Sequence, residues 1–468
     1  MGNETTRMRG ERSRARSIRP KPAVPAGPYL VVGLARSGQA AARFLASRSA
    51  AEVVGCDSRS PEGAAGLRDA GVEVHLDTDG LALIERARCV VKSPGVPRDA
   101  PVVEAARRRA IPVLGELELG WRLMENTFVA VTGTNGKTTV TELIGHVWRT
   151  AGEPVAVAGN VGTPLASLAG ELGTEATVAC ECSSFQLEDA EAFAPECAVL
   201  LNVTPDHLDR HRDFADYLAA KLRIFRNQGN DDVAVFNVFE PALTGRDLSG
   251  CARRVPYCRG ADPDCAVSLN EGTVFLRAEP LIELGEFPLP GLHNADNAMA
   301  AAAAADAMGI DREAIREALR TFPGVPHRLE RVAEVDGVLY VNDSKATNVA
   351  AAAAALRSFD GGVHAIMGGS LKSGDFAGLV DPVAERCVAC YLIGEAARAL
   401  ERDLEPVRRF GVELHRSGDL PNALREAGAA AAPGQVVLLA PACASFDAYR
   451  DFEERGEHFR ALVGKRVR

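Results

Sequence analysis

The stretch TFVAVTGTNGKTTVTE, residues 127–142, constrains the fold of this chain more than any other. It opens with an apolar, β-branched run from Phe128 to Val131, typical of a buried strand, and becomes helical in pattern after Lys137. A glycine turn between a strand and a helix is an anion site, because backbone N–H groups point into the turn and the helix dipole adds partial positive charge. The complete phosphate-loop pattern has a further glycine where Val131 stands. We therefore predict a shortened phosphate loop that binds a nucleotide.

The side chains of this turn suit a nucleoside triphosphate with Mg²⁺. Lys137 can reach the β- and γ-phosphates, and the Thr138 hydroxyl can ligate Mg²⁺. Glu181 follows an apolar, strand-like run at 177–180, and enzymes with a phosphate loop hold Mg²⁺ with an acidic residue at the end of a neighbouring strand. The simpler alternatives are a plain glycine turn and a surface carboxylate. The predicted phosphate-binding residues are Gly133, Thr134, Asn135, Gly136, Lys137, Thr138 and Thr139.

Strand-like and helix-like patterns alternate along most of the chain, which is typical of α/β domains with parallel sheets. A length of 468 residues suggests about three domains. We predict a disordered basic tail at residues 1–28, a Rossmann-like domain at 29–125, a central P-loop-type ATPase domain at 126–323 and a Rossmann-like C-terminal domain at 324–468. The proline-bounded run Phe322–Pro326 is the predicted hinge between the last two domains.

Composition argues against several classes of protein. The net charge of −10 argues against a broad nucleic-acid-binding surface. No apolar run in the sequence reaches the roughly 18 residues needed to cross a bilayer, and the basic tail lacks the apolar core of a secretory signal. Eleven cysteines, an odd number, suit reduced thiols in a cytosol better than a disulfide framework. Cys387 and Cys390 lie in an apolar run, so buried thiols are a better interpretation than a zinc site.

A second glycine turn opens the first predicted domain. Gly33 to Gly38 follows a short strand, and the next strand ends at Asp57, where dinucleotide-binding proteins hold a ribose. Ala35 replaces a glycine of the dinucleotide fingerprint, which weakens the case for an NAD site. A different nucleotide held at the strand ends is equally compatible with the pattern. A solvated turn residue is the simpler interpretation of Asp57.

Further polar residues follow predicted strands or begin predicted helices. His207 lies in a run rich in possible ligands after the strand at 197–202, and Lys221 lies in an amphipathic helix. Asn294 and Asn297 begin an alanine-rich helix, where their amides can cap the helix or bind an adenine edge. Three more clusters follow strands of the third domain, at 342–348, 368–372 and 441–445. Ligands bind at the strand ends of parallel sheets, although a lone His or Lys is more often structural.

These clusters, in this order, resemble those of the Mur ligase family of amide-forming ATPases, from Tyr29 to the C-terminus. Four segments are similar to those of the family members that add D-glutamate: ECSSFQLE (181–188), DSKATN (343–348), PACAS (441–445) and FEERG (452–456). The relatives that add diaminopimelate or lysine hold their amino acid with an Asp-Asn-Pro-Arg segment, which this sequence does not contain.

The resemblance implies a role for each cluster. It implies that Lys221 is carbamylated and supports the metals, and that His207 helps to bind a second Mg²⁺. The implied catalytic residues are Lys137, Glu181, His207 and Lys221, and the implied metal ligands are Thr138, Glu181, His207 and Lys221. Beyond the phosphate loop, ATP would contact Asn294, Asn297, Arg328 and Asp343. The UDP-linked substrate would contact Ser37, Asp57, Ser58, Arg59 and Asn160, and D-glutamate would contact Thr347, Lys372, Ser445 and Phe452.

The resemblance also implies a reaction. With ATP and two Mg²⁺ ions, the alanine carboxylate of UDP-N-acetylmuramoyl-L-alanine would become an acyl phosphate, and D-glutamate would then form the amide, in cytoplasmic peptidoglycan precursor synthesis. We expect a monomer, without nucleic-acid partners and without membrane insertion. Three alternatives stay open: a relative that adds another amino acid or a folylpolyglutamate-type ligase, a nucleotide-dependent oxidoreductase that uses Gly33 to Asp57, and a non-catalytic binding protein.

Overall fold

The computed structural model describes residues 19–207, 210–243, 248, 250–371 and 375–466. Their strands form three sheets of five, nine and six strands, which follow one another along the chain. The predicted α/β class and three-domain architecture are therefore confirmed. The boundaries predicted after residues 125 and 323 fall in the stretches between these sheets. Within the described ranges, every helix is too short or too polar to span a bilayer.

The first domain is a parallel sheet flanked by helices. Its strands are β1 (Tyr29–Val32), β2 (Val53–Cys56), β3 (Glu73–His75), β4 (Cys89–Lys92) and β5 (Val113–Gly115). Its helices are α1 (Arg36–Arg48), α2 (Pro101–Arg108) and α3 (Glu116–Leu123), with 3-10 turns at Ala64–Ala70 and Leu81–Arg86. The strand order β3-β2-β1-β4-β5 is that of a Rossmann-like domain. Apolar clusters cover both faces of the sheet, so β1, β2 and β4 are buried along their whole length.

The central domain is built on a mixed sheet. Its strands are β6 (Phe128–Thr132), β7 (Val155–Gly159), β8 (Thr177–Glu181), β9 (Cys197–Leu200), β10 (Val233–Asn237), β11 (Arg253–Arg259), β12 (Val267–Asn270), β13 (Thr273–Leu276) and β14 (Glu279–Glu283). Its helices are α4 (Lys137–Thr150), α5 (Leu165–Leu168), α6 (Ser184–Glu188), α7 (Phe214–Leu222), α8 (Leu292–Ala307) and α9 (Arg312–Thr321), with a 3-10 turn at Leu284–Glu286. The strand order is β14-β13-β12-β11-β10-β9-β6-β8-β7, and β12, β13 and β14 form antiparallel pairs.

Strand β6 occupies the position in this sheet where a ligand site is expected. It pairs in parallel with β8 on one side and with β9 on the other, so the strand order changes direction at β6: β7 and β8 lie on one side, and β9 to β14 lie on the other. In open α/β sheets, ligands bind outside the carboxyl ends of the strands at such a point. The phosphate loop follows β6 directly and therefore lies at this point. The stretch 248–289, whose strands the sequence pattern did not locate, forms β11 to β14.

The third domain is a six-stranded sheet. Its strands are β15 (Glu330–Val335), β16 (Val338–Asn342), β17 (Val363–Gly368), β18 (Cys387–Ile393), β19 (Glu413–Gly418) and β20 (Val436–Leu439). Its helices are α10 (Val349–Leu356), α11 (Val380–Arg386), α12 (Ala397–Leu404), α13 (Leu420–Ala430) and α14 (Phe452–Gly464), with 3-10 turns at Ala377–Leu379 and Glu405–Phe410. The order is β15-β16-β20-β17-β18-β19, so the polar loops after β16, β20 and β17 lie side by side. The sequence pattern did not identify β15 and β19, because both are edge strands with mostly exposed or half-buried side chains.

One pair of cysteines departs from the sequence-based expectation. The structure joins Cys258, in β11, to Cys265 by a disulfide, with the two Cα atoms 6.1 Å apart. The chain turns back after β11, and the Ala266 N–H donates to the Pro256 carbonyl oxygen at 2.8 Å, which places the two cysteines side by side. The expectation of reduced thiols is therefore wrong for this pair. Most of the other nine cysteines are buried.

Residues 19–28 pack against the domains, although the sequence predicts that they belong to a disordered tail. Lys21 Nζ donates to the carbonyl oxygen of Met124 at 2.7 Å, and burial lowers the pKa of this lysine to about 8. The Arg19 guanidinium lies 2.6 Å from the Asp232 carboxylate of the central domain. The prediction of a disordered tail is therefore wrong for this segment. The first 18 residues lie outside the described part of the chain.

A buried ion pair joins the first domain to the central domain. Lys92 Nζ, at the end of β4, lies 2.7 Å from Asp189 Oδ2, and both side chains are almost fully buried. Lys92 also donates to the Val96 carbonyl oxygen at 2.8 Å, so it holds the turn after β4 against the central domain. The guanidinium of Arg107 lies 3.9 Å from the same carboxylate. A charge that is buried at such a junction is strongly destabilising when its partner of opposite charge is removed.

We predict that Lys92→Met lowers the free energy of unfolding by about 3 kcal/mol, because it leaves the Asp189 carboxylate buried without its main partner. This value is at the low end of the usual range, since Arg107 is near enough to compensate in part. Denaturant titration of the purified variant measures the change.

Two matched variants distinguish this explanation from a simple loss of packing. Lys92→Met combined with Asp189→Leu is expected to recover most of the loss, because neither charge is then buried. Arg108→Met removes an exposed pair with Glu104 and is expected to cost less than about 1 kcal/mol. Equal losses in the single and double variants would contradict the explanation.

Candidate active site

The phosphate loop adopts a backbone that requires glycine at its last position. Gly136 precedes α4 with φ +85°, in the left-handed region. A Cβ atom at this position would lie only 2.4 Å from Asn297 Oδ1 of helix α8. Strand β6 and α4 therefore meet through a turn that brings backbone N–H groups and the N-terminus of α4 to one point, as the sequence predicts.

The loop after β9 supports the phosphate loop through residues that the sequence analysis did not assign to the site. Asn202 Oδ1 accepts from the Asn135 N–H at 2.9 Å, and Asn202 Nδ2 donates to the Asn135 carbonyl oxygen at 3.1 Å. The Thr134 hydroxyl lies 3.0 Å from the Tyr217 hydroxyl and accepts from the Thr204 N–H at 3.0 Å. The sequence gives little sign of these pairings, because the partners are far apart along the chain.

Two lysines point at the same carbonyl oxygen. Lys137 Nζ and Lys221 Nζ donate to the Gly133 carbonyl oxygen at 3.0 Å and 2.7 Å. Burial lowers the pKa of both lysines. The nearby Arg328 lowers the pKa of Lys137 further, and Lys137 lowers that of Lys221. The Lys221 side chain is fully buried, with its ammonium 4.5 Å from the centre of the Tyr217 ring. This concentration of positive charge suits an anionic ligand, and it agrees with the pairing of Lys137 and Lys221 in the predicted site.

The predicted metal ligands Thr138 and Glu181 are in direct contact. The Thr138 hydroxyl donates to Glu181 Oε2 at 2.5 Å and accepts from Arg328 Nη2 at 2.7 Å. Asn160 Nδ2 donates to the other carboxylate oxygen, Glu181 Oε1, at 3.0 Å. The structure therefore places Asn160, predicted for the UDP-linked substrate, beside the predicted metal ligands. The other four residues predicted for this substrate lie in the first domain.

The nucleotide residues predicted from the third domain also reach this cluster. Arg328 follows the hinge and contacts Thr138 across the domain boundary. Asp343, at the end of β16, is buried, and burial raises the pKa of its carboxyl to about 7, although the neighbouring Arg328 lowers it. The guanidinium and the carboxylate therefore form a partly compensated pair at the junction of the two domains.

Asn294 and Asn297 lie together in the first turns of α8. Asn297 Nδ2 donates to Asn294 Oδ1 at 3.0 Å, and Asn294 Nδ2 donates to the Pro290 carbonyl oxygen at 2.7 Å. Both side chains are buried. Since Asn297 also contacts Gly136, α8 brings this amide pair against the phosphate loop, where the sequence predicts a nucleotide contact.

His207 lies at the margin of the site. It has φ +54°, and its side chain is 48% exposed. Its ring centre is 5.0 Å from that of Phe185. The neighbouring Asp206, which the sequence analysis did not assign to the site, accepts from Asn348 Nδ2 of the third domain at 3.3 Å and raises the pKa values of Lys137 and Lys221. The ligand-rich run around His207 was the signal that could have identified Asp206.

The first-domain residues predicted for the UDP-linked substrate gather at the turn after β1. Asp57 accepts from the Leu34 N–H at 2.6 Å and from the Arg59 N–H at 2.9 Å, so its carboxylate stabilises the turn. The Ser37 hydroxyl lies 3.5 Å from that of Ser93. The remaining two predicted residues, Ser58 and the Arg59 side chain, are exposed at the end of β2. Both oxygens of Asp57 are engaged by backbone groups, which disfavours the ribose-binding role of an NAD enzyme.

Three of the four residues predicted for D-glutamate border the adjacent loops of the third domain. Thr347 is half-buried, Ser445 is buried, and Phe452 begins α14. Lys372 lies outside the described residues, so its position stays a prediction. Lys345 Nζ, which the sequence analysis did not single out, lies 3.7 Å from the centre of the Phe452 ring, and burial lowers the pKa of this lysine to about 7.

Arg455 holds these three loops together. It is buried to 99%, and its guanidinium donates to backbone oxygens after β16, at the end of β17 and after β20. The two closest of these acceptors are the carbonyl oxygens of Ser344, at 2.9 Å, and Cys443, at 3.1 Å. Its Nε also donates to the Ser344 hydroxyl at 3.0 Å. Sequence reasoning noted the segment that contains Arg455 but could not show which loops it joins.

Three family matches follow one another along the chain. The Mur ligase MurD-like N-terminal domain matches residues 28–115, the Mur ligase middle domain matches 131–305, and the Mur ligase glutamate ligase domain matches 327–443. Solved structures show the same fold. The UDP-N-acetylmuramate-alanine ligase MurC of Thermotoga maritima has a TM-score of 0.59 and 20% identity, with 94% of this chain and 100% of that chain covered. The MurF ligase of Thermotoga maritima, solved with ADP, has a TM-score of 0.58 and 18% identity, with 92% and 99% covered.

Curated relatives match over nearly the whole chain. The UDP-N-acetylmuramoylalanine–D-glutamate ligase of Acidobacterium capsulatum is 43% identical over 444 residues, which cover 93% of this chain and 95% of the relative. The enzyme of the same name from Pelotomaculum thermopropionicum is 42% identical, with 93% and 96% covered. Matches of this identity and length, together with the three domain matches in the same order, show that the chain belongs to the Mur ligase family.

Proposed function

We propose that this chain joins D-glutamate to the alanine carboxylate of UDP-N-acetylmuramoyl-L-alanine in an ATP-dependent reaction in the cytoplasm. The observation that carries the proposal is the meeting of Lys137, Thr138, Glu181 and Lys221 at the carboxyl ends of β6 and β8. The substrate assignment is supported by the names of the relatives that match over nearly the whole chain. It is also supported by the three loops that Arg455 joins in the third domain.

The cluster fits the triphosphate of ATP. Lys137 brings its ammonium group to the Gly133 carbonyl oxygen, and a polyphosphate would offset its charge. The α4 N-terminus points backbone N–H groups at the same place. Arg328 reaches the cluster from the third domain, where it can contact the transferred phosphate. Catalysis by these residues is chiefly alignment and neutralisation of charge.

The donor set near Glu181 fits Mg²⁺. The Thr138 hydroxyl and the Glu181 carboxylate are oxygen donors in contact, which is the chemistry that this hard cation prefers. We propose that these two residues hold one ion, and that His207 with carbamylated Lys221 supports a second. When bound, the ions neutralise the phosphate oxygens and orient them for transfer.

Carbamylation of Lys221 is supported by its environment. Only a neutral amine attacks carbon dioxide, and burial together with the nearby Lys137 lowers the pKa of Lys221 well below its usual value. The amine is therefore deprotonated more readily than that of an exposed lysine. The new N–C bond would convert a cation into an anion, after loss of one proton, at a position beside the predicted metal ligands.

We propose two covalent steps. A carboxylate oxygen of the UDP-linked substrate forms a bond to the γ-phosphorus of ATP, the bond to the β-phosphate oxygen breaks, and ADP leaves. The amine of D-glutamate then bonds to the acyl carbon, the bond from that carbon to the phosphate oxygen breaks, and phosphate leaves as the nitrogen loses a proton. The contacts of Arg328 with Thr138 and of Asn348 with Asp206 bring the third domain over the central domain, where closure excludes water from the acyl phosphate.

Phosphate release from Mg-ATP with UDP-N-acetylmuramoyl-L-alanine tests this function. We predict that release requires D-glutamate and does not occur with L-glutamate, L-lysine or diaminopimelate. Lys137→Ala should reduce release by roughly 100-fold or more in the same assay, since it removes a cation from the transition state. Release with a different amino acid would contradict the substrate assignment, and no release with any amino acid would contradict the proposed function.

Carbamylation of Lys221 leads to a separate prediction. Removal of carbon dioxide and bicarbonate from the assay should lower the wild-type rate of phosphate release, and added bicarbonate should restore it. Lys221→Ala should have a low rate that bicarbonate does not change. A wild-type rate that is independent of bicarbonate, after prolonged depletion, would argue that Lys221 acts as an unmodified amine.

Arg455→Lys should raise the KM for D-glutamate by roughly tenfold, which corresponds to about 1.4 kcal/mol, because an ammonium cannot span the acceptors of three loops. The KM for the UDP-linked substrate should stay unchanged, since that substrate is assigned to the first domain. Arg450→Lys, at an exposed position just before the same helix, is the matched control. An equal rise of both KM values in the Arg455 variant would indicate general loss of structure instead.

A further inference from the structure

Three possible metal ligands converge outside the proposed nucleotide site. Glu188 ends α6, His211 lies in the loop before α7, and Asp216 lies in the first turn of α7. One ligand atom of each residue lies within 4.8 Å of the other two. His211 Nδ1 is 3.3 Å from Glu188 Oε1 and 3.9 Å from Asp216 Oδ2. The cluster therefore joins three separate segments of the central domain.

The imidazole of His211 is held in one orientation. Its side chain is fully buried, it stacks on Phe185 with ring centres 5.4 Å apart, and its ring centre is 5.2 Å from that of Tyr217. The other ring nitrogen, Nε2, lies 3.0 Å from the Ser184 hydroxyl. In the tautomer that donates from Nε2 to Ser184, Nδ1 presents its lone pair to the two carboxylates. Histidines that bind metals are fixed in this way by a hydrogen bond from the second nitrogen.

The buried Nδ1 atom of His211 makes no hydrogen bond, although it faces two carboxylates. A lone pair among carboxylate oxygens is unfavourable unless a proton or a metal cation lies between them. The separation of 3.3 Å from Glu188 is longer than the roughly 2.8 Å of a charge-assisted hydrogen bond. It is close to the spacing of about 3.4 Å between two ligands of a tetrahedral ion with bonds of about 2.1 Å.

We propose that Glu188, His211 and Asp216 bind one divalent transition-metal ion of the zinc class. One imidazole nitrogen and two carboxylate oxygens suit Zn²⁺, whereas Mg²⁺ prefers oxygen ligands alone. Three protein ligands leave at least one position for water. This ion is distinct from the Mg²⁺ that the nucleotide site would hold, because none of its three ligands belongs to that site.

The ion would fix the segments that carry two residues of the proposed active site. The loop between β9 and α7 contains His207, and α7 contains Lys221. The Phe185 ring contacts both His207 and His211. A metal bound to Glu188, His211 and Asp216 would therefore restrain His207 and Lys221 without contact with substrate, and its role would be structural.

Cobalt provides a direct test, because Co²⁺ replaces Zn²⁺ and absorbs visible light when bound to protein ligands. We expect the full-length protein, saturated with Mg-ATP to occupy the nucleotide site, to bind one Co²⁺ with visible bands that Zn²⁺ abolishes. His211→Ala should weaken binding by about 100-fold or more, and Ser184→Ala by about tenfold. His415→Ala is the matched control, because His415 lies 2.9 Å from Glu413 in an exposed pair and should not affect binding.

Glu188→Gln gives a second test that does not depend on a cavity at His211. This variant keeps the shape of the side chain, and we expect Zn²⁺ to raise the Tm of the wild type but not that of Glu188→Gln. Three results would each overturn the proposal: no Co²⁺ binding by the wild type below millimolar concentration at pH 7.5, equal binding by the wild type and His211→Ala, or loss of the visible bands in His207→Ala with no change in His211→Ala.

Discussion

The Thr138 hydroxyl is the atom on which the active-site arrangement depends. It donates to Glu181 at the end of β8 and accepts from Arg328 of the third domain, so the phosphate loop, the neighbouring strand and the hinge meet at one oxygen. The hydroxyl and the carboxylate are both buried, where polar bonds are stronger and unpaired groups cost more than in water. A change at Thr138, Glu181 or Arg328 therefore affects the other two residues. Arg328 links the third domain directly to the phosphate loop.

The site brings buried cations and carboxylates together. Lys137, Lys221 and Arg328 all have pKa values lowered by burial. The carboxylates of Glu181, Asp206 and Asp343 offset part of the cost of removing these charges from water, and a bound anion would offset more of it. In the third domain, Arg455 has the opposite role, because its charge is satisfied by carbonyl oxygens of the protein itself and fixes loops instead of binding a ligand.

The sequence predicted a large part of the fold because parallel strands buried on both faces leave continuous apolar runs, and the runs at 128–131 and 177–180 lie in β6 and β8. Edge strands such as β19 were missed, because one half-exposed strand has no continuous run. In the site, the glycine turn with Lys137 and Thr138 was evident from local spacing alone. His207, by contrast, was assigned by resemblance, and the structure places it at the margin, half-exposed, so its role stays a prediction.

The sequence by itself determined the phosphate loop, since its glycines, lysine and threonine are adjacent along the chain and their geometry follows from one strand, one turn and one helix. Only the tertiary structure decided what surrounds it. The helical pattern alone predicts that Lys221 is solvated. In the structure its side chain is buried, and its ammonium donates a hydrogen bond to the Gly133 carbonyl oxygen. The Lys92–Asp189 pair and the disulfide between β11 and the turn before β12 likewise depend on contacts between segments. Local periodicity reports which face of an element is apolar, but it contains no information about which distant segment will cover that face.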